Sequence, residues 1–276
     1  MSVTNGGPHR PRRRWIWAIV ALVTAAVLIL PVALLVSLKP GQHHEHGPVT
    51  VYHHAVTAVR VSAPGDTVAI TAGRTGQVSV ASTVGWLVTK PAIRERWHGT
   101  TLAVSVHCPA RDLVEGCSAS LIVRVPAATE VRTAVGAGTA SVAGVAGPVR
   151  VIATSGSVVL AYLSGPVWAT ATSGSITGMT GLNSTKLVAD VGSGSLALGL
   201  DTAPRSLSLA VGSGSGNVTV PPGTRCRIDT GRGTAVHVSP GMSSPDSAGL
   251  ISAKAGSGTL SIVYPGGLPV PPPAAP

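Results

Sequence analysis

His43, His44, Glu45 and His46, followed by His53 and His54, are the one concentrated set of metal-ligand side chains in the sequence. His-rich tracts can hold Zn or Cu. Nothing in this tract fixes a ligand geometry, so a polar, flexible stalk is the plainer reading and His43, His44 and His46 stand only as candidates. No cofactor is expected. Asp190 and Asp229 are the next pair to weigh, because polysaccharide-cleaving β-proteins cluster carboxylates on one outer face. Aligned by the repeat described below, they share a column two turns apart, about 10 Å at the strand spacing, with Ala210 between them. Ala134, Ile152, Thr170 and Lys254 fill the rest of that column, so no third carboxylate joins an acid/base pair and solvated surface charges are expected. Ser and Thr are abundant, yet no G-x-S-x-G elbow occurs in a strand-to-helix context. The expectation is a protein without catalytic residues.

Cysteine chemistry is the remaining option. Cys108 and Cys117 flank eight residues just before a strand. Their spacing, and a position beyond an apolar anchor where oxidation is permitted, predict a disulfide rather than two free thiols. Cys226 is the odd cysteine. It falls in a column otherwise held by Val or Leu, which predicts a small buried hydrophobe rather than a reactive thiol.

The elements that carry these residues are legible as a repeat. The word SGS, or a close variant, recurs with its central glycine at Gly138, Gly156, Gly174, Gly194, Gly214, Gly233 and Gly258, spaced by 18, 18, 20, 20, 19 and 25 residues. Thr139, Ser157, Ser175, Ser195, Ser215, Thr234 and Thr259 follow, a hydroxyl each time. Seven residues before the glycine the same register gives Val131, Val149, Val167, Leu187, Leu207, Cys226 and Ile251. Two residues later come Thr133, Val151, Ala169, Ala189, Leu209, Ile228 and Ala253. Alternation with period two means strands with one buried face, and a period near 19 predicts that each turn stacks on the last. The glycines then occupy a sharp corner needing positive φ or close backbone approach. A β-solenoid-like stack is the predicted architecture, with an antiparallel β-sandwich of hairpins as the alternative. Residues 56–130 read as a leading β segment that covers the first repeat edge, its strands separated by PGD, AGRTG and PAIRERWHG, the last spanning 91–99. The long spacing before Gly258 comes from Ser239 to Leu250, a loop that could add binding surface.

Composition agrees with an all-β protein: 34 Gly, no Phe, and apolar mass supplied by small and β-branched residues. One run differs in kind. Trp15 to Leu38 holds 24 residues without a charge, which as a helix spans about 36 Å, enough for a bilayer core of about 30 Å. Arg10, Arg12, Arg13 and Arg14 precede it and only Lys39 follows closely, so the positive-inside rule predicts a single-pass anchor with residues 1–14 cytoplasmic and the rest outside. A cleaved signal peptide is the alternative. The predicted organisation is therefore a basic tail (1–14), a transmembrane helix (15–38), a His-rich stalk (39–55), the leading β segment (56–130), the β-repeat domain (131–264) and a Pro-rich tail (265–276).

Net charge is +10, but four of those charges belong to the N-terminal tail, leaving 16 Lys/Arg against 10 Asp/Glu. They look scattered along the chain with no basic stripe interleaved with aromatics, so nucleic acid is not an expected partner. Cell-wall polymers or envelope proteins are.

In order, the hydrophobic N-terminal helix, PGDTVAI, CPARDLVEGC, SLIVRVPA leading into VRTAVGAG, and the serial SGS turns resemble a bacterial family known as putative adhesin domains of unknown function, with β-strand repeats. The resemblance covers about residues 56–264, and the Ala/Val/Gly-rich, Lys-poor usage is similar to that of high-GC actinobacteria. It implies a cell-envelope location and a binding or scaffolding role, and it supplies no catalytic residues. The alternatives in other classes are a membrane-linked partner in envelope stress sensing and an enzyme acting on wall polysaccharide.

Overall fold

The structure is a computed structural model, and it describes residues 43–87, 89–108, 117–231 and 235–266. The predicted anchor Trp15–Leu38, Gly233 and the Pro-rich stretch from 267 onward lie outside the described residues. Among the described residues there is no helix, and none long and apolar enough to cross a membrane. They are all-β: 19 strands joined in one curled, open sheet.

The leading segment contributes β1 (His43–His46), β2 (Thr50–Tyr52), β3 (Ala58–Ala63), β4 (Thr67–Ala72), β5 (Val78–Trp86), β6 (Ala92–His98), β7 (Thr101–His107) and β8 (Ser118–Val125). The repeats follow as β9 (Glu130–Val135), β10 (Thr139–Ala143), β11 (Val149–Ala153), β12 (Ser157–Ala161), β13 (Val167–Leu182), β14 (Lys186–Leu200), β15 (Ser206–Thr219), β16 (Arg227–Thr230), β17 (Ala235–Val238), β18 (Leu250–Ala255) and β19 (Thr259–Val263). Valine, alanine and threonine at alternating positions make these strands, and burial alternates with them: in β11 Val149, Val151 and Ala153 are buried while Arg150 and Ile152 are exposed.

Each repeat gives one strand to each of two parallel ladders. The first ladder runs β3, β9, β11, the first half of β13, then β14, β15 and β18. The second runs β8, β4, β10, β12, the second half of β13, then β14, β15 and β19. In β13, β14 and β15 the two strands fuse through the SGS corner into single long strands. Antiparallel pairing, the hallmark of the sandwich alternative, is confined to the leading segment: β5 with β1, β2 and β8, and β6 with β7.

The core lies on the inward faces of the ladders. Val131, Val149, Val167, Leu187, Leu207 and Ile251 form one fully buried row, and Val158, Leu160, Ile176, Leu196, Leu260 and Ile262 belong to the second ladder's inner face. Burying each such side chain contributes about 1.5–3 kcal/mol before entropy is counted. The rows are built from Val, Leu and Ile, so the core is filled without Phe.

Three expectations are corrected. Part of the tract read as a flexible stalk is strand, because β1 and β2 complete the open edge of β5. His43 stacks on Trp86 with ring centroids 5.7 Å apart, and Lys90 Nζ lies 2.6 Å from Glu45 Oε1. Residues 92–98, read as a separator, form β6, whose backbone pairs with β7. The third correction concerns strand order at the C-terminal end. β18 and β19 pair directly with β15, and β16 and β17 lie outside them as edge strands. The chain steps outward after β15 and returns inward through residues 239–249, a loop whose Met242 is fully buried. That loop is held to the 225–227 segment by Cys226 N–H donating to Met242 O at 2.9 Å and Ser244 N–H donating to Cys226 O at 3.0 Å. It is a structural crossing, tied down at Met242 while most of its other residues stay exposed.

Candidate binding surface

The corner glycines answer to backbone contact. A β-carbon built on Gly156, Gly174, Gly194 or Gly214 would lie 1.9 Å from the carbonyl oxygen of the preceding corner glycine, and on Gly258 it would lie 2.4 Å from that of Gly214. Gly138 meets the Asp66 carbonyl in the same way, at 1.7 Å. Gly258 follows Gly214 directly, because β19 pairs with β15 and β17 lies outside it. Beside the row, Ser175 Oγ donates to Ser157 Oγ at 3.0 Å, and Ser213 and Ser257 hydroxyls are also 3.0 Å apart.

The changed strand order separates the two carboxylates. Asp190 is in register with Thr170 and Ala210, and Ala210 with Lys254. Asp229 is in register with Ser252 instead, two positions away along the strand. Three strand spacings, about 14 Å, therefore stand between their ladder positions before the offset is added. No acid/base dyad can form from them. The same offset removes Cys226 from the Val/Leu column, where Ile228 pairs with Ile251. Cys226 is nonetheless buried, and burial pushes its thiol pKa up. Cys108 and Cys117 are joined in a disulfide with Cα atoms 6.1 Å apart.

Extended backbone splits the histidine tract, because successive side chains of β1 point to opposite sides. Among the described residues no group of three or more His, Cys, Asp or Glu could hold a metal ion.

What the fold does bring together is charge. On the outward face of the first ladder, Arg60, Arg132 and Arg150 occupy one cross-strand row on three adjacent strands, and Trp168 is next in register. Arg96 of β6 extends the row in the other direction, separated from Arg60 only by Ala103. All four arginines are exposed and Trp168 is half-buried. The Arg150 guanidinium lies 5.5 Å from the centre of the Trp168 ring and Lys186 Nζ lies 5.6 Å from it, so the indole is held between cations of both neighbouring strands. Arg94, two residues before Arg96 on β6, presents a further charge in the adjacent outward row, that of Ser105 and Ser62. Glu130 offsets one of these, accepting a hydrogen bond from Arg132 Nε. Glu130, Arg132, Pro148, Arg150 and Trp168 line a shallow recess of about 160 Å³ floored by Val131 and Val149.

The second ladder has nothing similar. Its outward row Ile122, Ala69, Ser141, Val159, Thr177, Ala197 and Asn217 carries no charge. The basic row thus belongs to the first ladder; the second ladder's outward face carries Arg124 of β8, in the row next to this uncharged one. The arginines had looked scattered because they are far apart in the chain, at 60, 96, 132 and 150. A signal was present all the same: Val-Arg at 59–60, 131–132 and 149–150 places Arg one step after a core valine each time.

No family model matches the chain, and no curated protein does. Among solved structures it is similar to a putative cell adhesion protein from Clostridium sporogenes ATCC 15579, with a TM-score of 0.34, 12% identity, and coverage of 81% of this chain and 100% of that one. It is also similar to a putative adhesin from Bacteroides fragilis NCTC 9343 (TM-score 0.30, 14% identity, 82% and 98% covered). A third is a putative lipid binding protein from Parabacteroides distasonis ATCC 8503 (TM-score 0.37, 11% identity, 81% and 97% covered). Scores this low bear no weight for the function of this chain.

Proposed function

We propose that this chain is a non-catalytic binding protein of the cell envelope, displayed outside the membrane by the Trp15–Leu38 helix, with residues 1–14 in the cytoplasm and a β-solenoid-like stack outside. The apolar length and the flanking arginines support the anchor. The in-register parallel ladders and the repeating glycine corner support the stack. The observation that carries the binding role is the one-sided row of exposed cations, a rigid surface suited to contact over area rather than to turnover. The separation of Asp190 from Asp229 fits the same reading.

The test uses the full chain in phosphatidylcholine nanodiscs, incubated with peptidoglycan, arabinogalactan-type wall polymer and anionic liposomes. It should sediment with at least one of them, less so as salt rises, with no sugar or peptide released. Release that disappears in Asp190→Asn would make it an enzyme. Failure to sediment with every fraction would leave no binding role.

A further inference from the structure

Resting on that reading, we infer that the ligand of the basic face is a linear anionic glycan, bearing carboxylate or phosphodiester groups, that lies across the strands along Arg96, Arg60, Arg132, Arg150 and Lys186. The path crosses from β6 to β14, seven strands in pairing order, or about 29 Å at the strand spacing.

Three features select a linear polyanion. The cations of Arg60, Arg132 and Arg150 stand in a single file, one per strand, while the next outward row holds Ser62, Ala134 and Ile152. A file of charge matches a polymer better than a plane of lipid headgroups, which would be met by cations spread over the whole face. Second, every cation in the file is arginine, Lys186 reaching the Trp168 ring from two residues before Val188, the file's position on β14, and the planar guanidinium grips carboxylate or phosphate through paired N–H donors. Third, Trp168 sits in the file beside the recess, an aromatic edge against which one sugar ring can rest while Arg150 and Lys186 hold the charges on either side. A single aromatic is too few to stack successive bases of a nucleic acid strand, which calls for repeated platforms.

The experiment measures binding of the full chain in phosphatidylcholine nanodiscs to polygalacturonate, to poly(glycerol phosphate), to neutral dextran, to a single-stranded oligonucleotide and to vesicles containing phosphatidylglycerol. Two double variants of equal charge are compared with the parent: Arg60→Ser with Arg150→Ser in the file, and Arg74→Ser with Arg124→Ser away from it. The expected result is binding of one or both anionic glycans, none of dextran, and about tenfold or greater loss in the first double with the salt slope reduced by about two. The second double should bind within about twofold of the parent. Equal loss in both doubles would reduce the effect to net charge and overturn the inference. Stronger binding of vesicles or oligonucleotide than of either glycan would assign the face to that other class. If the chain sediments with envelope fractions but the file variants change nothing, the glycan assignment fails while the proposed function stands.

Discussion

Gly194 sits so close to Gly174 that a β-carbon on the later residue would lie 1.9 Å from the carbonyl oxygen of the earlier one. Its φ of 137° adds a conformation that residues with side chains rarely adopt. Space and backbone angle therefore exclude any side chain independently. Gly194→Ala should lower stability by more than about 3 kcal/mol, at the upper end for single substitutions, because a stacked backbone has no far end to swing away. Gly65→Ala is the control, since nothing lies within 4 Å of its β-carbon position. It should change stability by less than about 1 kcal/mol in the same urea titration. Equal losses would mean that the stacked corner is not what demands glycine.

The exchange of strand order predicts which residues can be tied together. Ser208 and Ser252 are register partners, one strand spacing or about 4.8 Å apart, and Asp229 lies one strand beyond Ser252. A short bifunctional thiol reagent should link Ser208→Cys to Ser252→Cys readily. It should link Ser208→Cys to Asp229→Cys poorly. Buried Cys226 and the bonded Cys108–Cys117 pair leave these reactions uncontested. The opposite preference would put β16 next to β15, in simple chain order.

These two cases show where the sequence is transparent. From Gly138 to Gly214 the copies are 18 or 20 residues long and keep the same flanking alternation, so local chemistry and stacking coincide and the register can be read by eye. At Cys226 they part. The copy around Gly233 is locally similar, but its strands are only four residues each, and β18 offers β15 six residues of pairing with Ile251 and Ala253 for the core. The longer, more apolar partner wins the inner position, a competition between segments that no alignment of a single copy reveals. The basic file was hidden for a different reason. Arg60, Arg132 and Arg150 become neighbours only once β3 is known to pair with β9, and Arg96 only once β6 is recognised as a strand.

The cysteines divide cleanly by reactivity. In the folded, unreduced protein no thiol should react with an alkylating reagent, and on denaturation without reductant one should, that of Cys226. Replacing Cys108 and Cys117 together by Ser frees a loop of about ten residues, which by chain entropy lowers stability by about 2.7 kcal/mol. Three reactive thiols in the folded protein would contradict both assignments.

Asp66 makes stability depend on pH in an unusual direction. Its carboxyl is 2% exposed beneath the first glycine corner; Oδ1 accepts the Ala119 N–H, and Oδ2 has no partner among the described residues. Burial raises its pKa above the ordinary aspartate value, and backbone hydrogen bonds from Ala119 and Gly65 offset that only in part. In the unfolded chain the group titrates near its usual value, about 3.9. Below that value both states are protonated and the burial costs no charge. As pH rises through the higher folded value, ionisation is favoured more in the unfolded state, and stability is lost. Asn at this position can keep the bond to Ala119 and cannot ionise. The unfolding free energy of Asp66→Asn minus that of the parent should therefore increase as pH rises above about 4 and level off once the folded-state carboxyl has ionised. Taking the difference cancels the histidines, which titrate in the same range in both proteins. A difference that stays flat would mean that Asp66 is ionised at no cost, with a partner for Oδ2 that the geometry does not show; a difference that falls would mean that its charge stabilises the corner above it.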